Sequence, residues 1–163
     1  MHFTNMCGYF SLFNKNIVHF LPEIRVDRAG EATSLTGKNF PFLEEIGLSC
    51  SLVKLEADAM LSPFYTNDSL VRVFYAVKGT GNVQIVGING KLVLDNQILA
   101  CQVFVVPRFF TVGVIAEDEG LECFSVTTTS RIPKEDKNIN SVLKLITNNR
   151  SPWAASSQTR SFY

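Results

Sequence analysis

The side chains of this 163-residue chain that could do chemistry are few, and their spacing suits little of it. Its four cysteines, Cys7, Cys50, Cys101 and Cys123, include no Cys-x-x-Cys pair, so neither a thiolate metal site nor a dithiol redox centre is written into the sequence. Four is also too few for a disulfide scaffold at this length; no bridge is assigned, and Cys101 and Cys123 read as small buried apolar residues on strands. The two histidines, His2 and His19, both stand near the start of the chain. Gly37-Lys38 resembles the end of a phosphate-binding loop, but Asn39 stands where Ser or Thr is required and no glycine lies at the upstream spacing. Glu117-Asp118-Glu119-Gly120 reads as a solvated hairpin tip. Asn67-Asp68-Ser69 is formally a glycosylation sequon, which matters only if the chain enters the secretory pathway.

Composition narrows the function classes further. Fifteen basic residues balance fifteen acidic ones, and no run of Lys or Arg stands out, so neither nucleic acid nor a membrane surface is an expected partner. No stretch approaches the roughly twenty apolar residues that span a bilayer as a helix. Thirteen Phe and a hydrophobic fraction of 46% describe one domain with a sizeable core and with apolar surface to spare for association.

The elements that must position any site are strands. Over 70–77, Val71, Val73, Tyr75 and Val77 alternate with Leu70, Phe74 and Ala76, which predicts a central strand covered on both faces. Lys78-Gly79-Thr80-Gly81 predicts a reversal, with Val83 and Ile85 on the returning strand. Gly87-Ile88-Asn89-Gly90 predicts a second reversal before Leu92-Val93-Leu94, completing an antiparallel meander. Earlier in the chain, Phe42 to Leu48 reads as a short helical or irregular turn, and Cys50 to Glu56 as a strand with one wetter face. The stretch from Ala57 to Ser69, with Pro63, reads as a loop. Later, Gln102 to Pro107 is an apolar strand stopped by proline; Thr111 to Ala116 and Leu121 to Thr127 are two more, on either side of the acidic run. Ser141 is placed to cap a short helix through Ile146, and beyond Thr147 the chain reads as a polar tail. Residues 1–25 show no steady period. They lack early Lys or Arg and are interrupted by Asn14-Lys15-Asn16, so no secretory signal is expected. Seven or so short strands with almost no helix make an all-β antiparallel sandwich or barrel.

Three landmarks then resemble a cupin, and more narrowly the cupin domain of legumin or glutelin-type seed storage globulins. The first is Thr36-Gly37-Lys38-Asn39-Phe40-Pro41 followed by Gly47-Leu48-Ser49 and Leu52-Val53-Lys54-Leu55-Glu56. The second is Ala59-Met60-Leu61-Ser62-Pro63 leading to Tyr75-Ala76-Val77-Lys78-Gly79-Thr80-Gly81, and the third is Val103-Phe104-Val105-Val106-Pro107-Arg108-Phe109-Phe110. The resemblance implies a double-sheet jelly-roll barrel over 26–147 that ends in the start of a C-terminal helix. Residues 1–25 remain an unassigned segment and 148–163 a polar tail. Cupins that do chemistry hold a metal with three histidines and a glutamate. Carried over position by position, those ligands fall on Phe64, near Thr66, on Arg72 and on Val112, none of which can serve. The resemblance therefore implies a non-enzymatic storage-type cupin, a nutrient reservoir with no catalytic residue, metal or cofactor.

Arg72 then faces the interior, where an Arg without a partner is costly, so it is expected to reach the barrel mouth or pair with an acidic residue. The alternative is a metal-free small-ligand-binding or catalytic cupin that uses Arg72, with Phe64 and Tyr65 at the same mouth read as packing aromatics. Storage globulins carry two cupin domains, a signal peptide and a processing site with a bridging cysteine, and none of these is visible here. The chain resembles one cupin half. It is expected to pack through apolar sheet faces on a second cupin domain or another copy. The family suggests the secretory pathway or a storage vacuole.

Overall fold

Among the described residues, alternating side chains build nine antiparallel strands, and two of them are long enough to serve two sheets. The computed structural model describes residues 16–65, 70–129 and 143–145. A 3-10 turn, Ile17–His19, is capped by the Asn16 side chain, which accepts from the Val18 amide. Then come β1 Ile24–Val26, β2 Gly30–Leu35, the short helix α1 Pro41–Glu45, β3 Ser49–Leu55 and β4 Ala59–Tyr65. β5 Arg72–Val86, β6 Leu92–Leu99, β7 Val103–Val106, β8 Thr111–Thr127 and β9 Leu143–Leu145 complete the order.

The first sheet runs β1-β2-β3, then residues 121–127 of β8, then residues 72–79 of β5, then β7. The second runs β9-β4, then residues 111–116 of β8, then residues 81–86 of β5, then β6. Because β5 and β8 pair along both halves, the sheets are joined through them and face each other across one apolar interior. That interior holds Phe74, Val83, Ile85, Val106, Val112 and Val114, with the Phe74 and Phe104 rings stacked at 4.7 Å. A smaller cluster of Leu35, Phe40 and Leu43 seats α1, whose first turn begins at Pro41.

The chain does not reverse at 78–81. β5 continues through it, with register shifts between Ala76 and Lys78 and between Gly79 and Gly81. Gly79 takes φ +80°, so the glycine supplies a bend and an increase in twist where a turn was expected. β8 likewise runs through the acidic stretch, with Gly120 at φ +74°. Glu117 is held in the sheet because Asn82 Nδ2 (3.0 Å) and Gln97 Nε2 (2.9 Å) donate to its carboxylate. The reversal expected at Gly87-Ile88-Asn89-Gly90 is present and joins β5 to β6.

Three further expectations change. Residues 59–65, read as loop, form β4; Pro63 is tolerated because the register with β8 shifts between Leu61 and Phe64, where a ladder hydrogen bond is not needed. Leu143-Lys144-Leu145, read as part of a helix, is the strand β9, pairing Leu143 with Leu61 and Leu145 with Ala59. A short apolar run fits either period, and the open edge of β4 selects the strand. The capping role given to Ser141 lies outside the described residues. Finally, β5 is central but covered on one face alone: Arg72, Phe74 and Ala76 are buried while Val73, Tyr75 and Val77 are exposed.

The bend makes a sharp prediction. A Cβ on Gly79 would stand 2.0 Å from the Gly120 carbonyl oxygen, a contact with rigid backbone. Gly79→Ala should therefore cost on the order of 3 kcal/mol or more in urea unfolding, and a loss below about 1 kcal/mol would contradict this account.

Candidate functional site

The positions to which the cupin metal ligands were carried lie on β4, β5 and β8, and the fold draws three of them together. Phe64 on β4 is the direct cross-strand partner of Val112 on β8. Arg72, the first residue of β5, places its guanidinium carbon 4.9 Å from the Phe64 ring centroid and 5.9 Å from that of Phe74. Thr66 lies outside the described residues, as do His2 and Asn67; Tyr65 ends β4. What converges is a phenyl ring, a valine and a guanidinium, none of which donates a lone pair to a cation. Among the described residues, no group of three or more His, Cys, Asp or Glu is arranged to hold a metal ion.

Arg72 is only 8% exposed, and its Nε donates to Thr127 Oγ1 at 2.9 Å. The expectation was a charge at the barrel mouth or beside an acidic residue; the Thr127 hydroxyl and two aromatic faces lie against it, and stacking on rings lowers the cost of its burial. Around it the wall is polar. Ser34, Ser51 and Ser125 lie opposite one another across β2, β3 and β8, as do Ser49 and Thr127, with Arg72 across from Thr127. The Ser51 and Ser125 hydroxyls meet at 2.7 Å. Farther along the same strands the wall turns apolar with Val53, Leu55, Ala76 and Cys123. The sequence singled out Arg72 but missed the hydroxyls, because Ser and Thr in a strand carry no signal until register aligns them.

The remaining candidates are structural. Asn39, which breaks the phosphate-loop pattern, accepts from the Thr36 amide at 2.7 Å and donates to the Ser34 carbonyl at 2.8 Å, locking the turn from β2 into α1. Glu31, Lys54, Arg25 and Glu122 form a surface ion-pair chain, with Lys54 Nζ 3.0 Å from Glu31. That hydrogen bond is the main reason the Lys54 pKa is raised. Cys123 is buried as read, and burial pushes its thiol up to about 12; burial also raises Cys50. Cys101 is not buried. It sits between β6 and β7 at φ +68°, where its amide bonds the Ala76 carbonyl, and the tight turn leaves the side chain outside. There the Tyr75 hydroxyl donates to the Cys101 sulfur, which raises the phenol pKa.

An antiparallel double-sheet barrel with this strand order, whose inward positions on β4, β5 and β8 form its one internal constellation among the described residues, defines the class. Residues 22–156 match the family described as Cupin, and the chain belongs to it. Within that family its likeness is to legumin-type 11S seed storage globulins. It is 37% identical over 93 residues to glutelin type-A 2 of Oryza sativa subsp. japonica, covering 57% of this chain and 18% of that protein. It is 34% identical over 110 residues to glycinin G3 of Glycine max, covering 68% and 23%. The recombinant pro-11S globulin of pumpkin superposes with a TM-score of 0.69 at 29% identity, over 72% of this chain and 30% of that one. The match thus spans about a fifth of the length of these curated relatives.

The cysteines give a test of the interior. The Cys123 pKa rises from 9.0 to about 12 on folding, so its contribution to stability is complete below pH 9 and is lost as pH climbs toward 12. Unfolding free energy measured at about pH 8 and about pH 10 should fall about 1 kcal/mol further in the wild type than in Cys123→Val. Peptide mapping after mild thiol labelling of the folded protein should find Cys101 modified and Cys123 untouched.

Proposed function

We propose that the chain is a non-enzymatic storage-type cupin, a nutrient-reservoir barrel that packs against a second cupin domain or another copy of itself. The observation that carries the reading is the replacement, at converging positions, of every describable ligand by Phe64, Arg72 and Val112. The likeness to glutelins and glycinin supports it. So does the outer face of the first sheet, where Val73 and Val105, and Tyr75 and Val103, pair side by side and stand exposed.

Metal analysis of protein purified from cells supplied with manganese, iron and zinc tests the reading. A content far below one equivalent is expected; an equivalent that survives dialysis against chelator overturns the proposal. Sedimentation tests the packing: Val105→Lys should shift an associated species toward monomer, and an unchanged distribution would remove this face as the contact.

One observation favours a second reading, a small carboxylate held in the barrel: the buried Arg72 donates to the Thr127 hydroxyl, and the bonded Ser51 and Ser125 hydroxyls lie farther along the same strands. Arg72→Met, which keeps most of the volume, separates the two. For a storage barrel it lowers stability by about 1 kcal/mol and changes nothing else, whereas for a ligand barrel it removes calorimetric binding of acetate or benzoate.

A further inference from the structure

We propose that two turns at the end of the second sheet form a docking tip for an anionic lipid bilayer. The turns are 87–91, between β5 and β6, and 107–110, between β7 and β8. Val86 pairs with both Leu92 and Thr111, so both connections leave the sheet at the same end. They lie close together there: a Cβ on Gly87 would lie 3.6 Å from Phe110 Cε2 of the other turn and 3.5 Å from Val93 Cγ2 on β6.

The tip is apolar where it projects. Ile88 is 76% exposed, Val93 58% and Phe109 46%. Phe109 also takes φ +66°, a left-handed conformation that a bulky side chain adopts only under constraint, while the next residue, Phe110, packs on the core. The fold thus turns a strained phenyl outward at the same end of the sheet that exposes Ile88. Charge follows the same geometry. Each turn carries one exposed cation, Lys91 and Arg108, and neither contains an acidic residue; the first along β6 is Asp95. These two cations are far apart in sequence, which is why the even charge balance of the chain hides them.

That combination suits lipid better than protein. Two convex turns offer little flat area for a protein partner, whereas the boundary between headgroups and acyl chains accepts a projecting apolar wedge flanked by cations. The tip is separate from the Val73, Tyr75, Val103 and Val105 face invoked for association, so the two proposals fail independently.

Flotation of the full chain tests it, using vesicles of about three parts phosphatidylcholine to one of phosphatidylserine, against phosphatidylcholine alone. The protein should float with the anionic vesicles and far less with the neutral ones, and binding should weaken as salt rises from about 0.1 M to about 0.5 M. Ile88→Asp should lower the bound fraction roughly tenfold. Phe109→Gly should also lower it while leaving the melting temperature equal or higher, because glycine relieves the positive φ; a merely structural Phe109 would instead melt lower. Absence of flotation at low salt, or flotation indifferent to Ile88→Asp and Phe109→Gly, overturns the proposal. A change of sedimentation size in those two variants without lipid overturns it in favour of a protein contact.

Discussion

The constraint that shapes this barrel is the approach of two backbones at Gly79 and Gly120. A Cβ at Gly79 would meet the Gly120 carbonyl oxygen at 2.0 Å, and both residues have positive φ. β5 and β8 therefore bend at the same level and in register, and each passes from one sheet to the other without leaving its ladder. Everything else follows from that crossing. It sets the two sheets face to face, encloses Phe74, Val83, Val112 and Val114, and fixes which end of each strand meets which.

The same crossing divides the interior chemically. Near the start of β5 and the end of β8, cross-strand register gathers Arg72, Thr127, Ser125, Ser51 and Ser49, while Phe64 and Val112 close the opposite wall. Toward the bend the wall becomes Ala76, Cys123 and Leu121. At the positions carried over from the metal-binding pattern, the Arg72 guanidinium lies over the Phe64 and Phe74 rings and bonds Thr127.

Outside, two of the exposed apolar patches differ in shape. The face made by β5 and β7 is a flat sheet with paired Val and Tyr side chains, the form that another sheet can cover. The end made by the 87–91 and 107–110 turns is convex and carries cations. Flatness and charge, which composition does not record, separate a surface suited to a second barrel from one suited to a bilayer.

Much of this was legible in the sequence. Alternation in 50–56, the apolar run of 102–107 stopped by proline, the stretch 121–127 and the Asn-Gly turn at 89–90 specified strands and one reversal because those signals are local. The resemblance landed Phe64, Arg72 and Val112 on positions that do converge. Glycine was ambiguous: positive φ serves a turn or a bend equally, and only the partner strand decided that Gly79 and Gly120 bend. Pro63, the acidic run and Leu143-Lys144-Leu145 were misread for the same reason, since a bulge, a carboxylate held by Asn82 and Gln97, and an open strand edge are supplied by distant residues. Local propensity and pattern thus determined an all-β antiparallel class, and the resemblance named the inward positions that converge. Register, set by packing across strands, decided which hydroxyls surround Arg72, which face of β5 is left open, and which turns stand together.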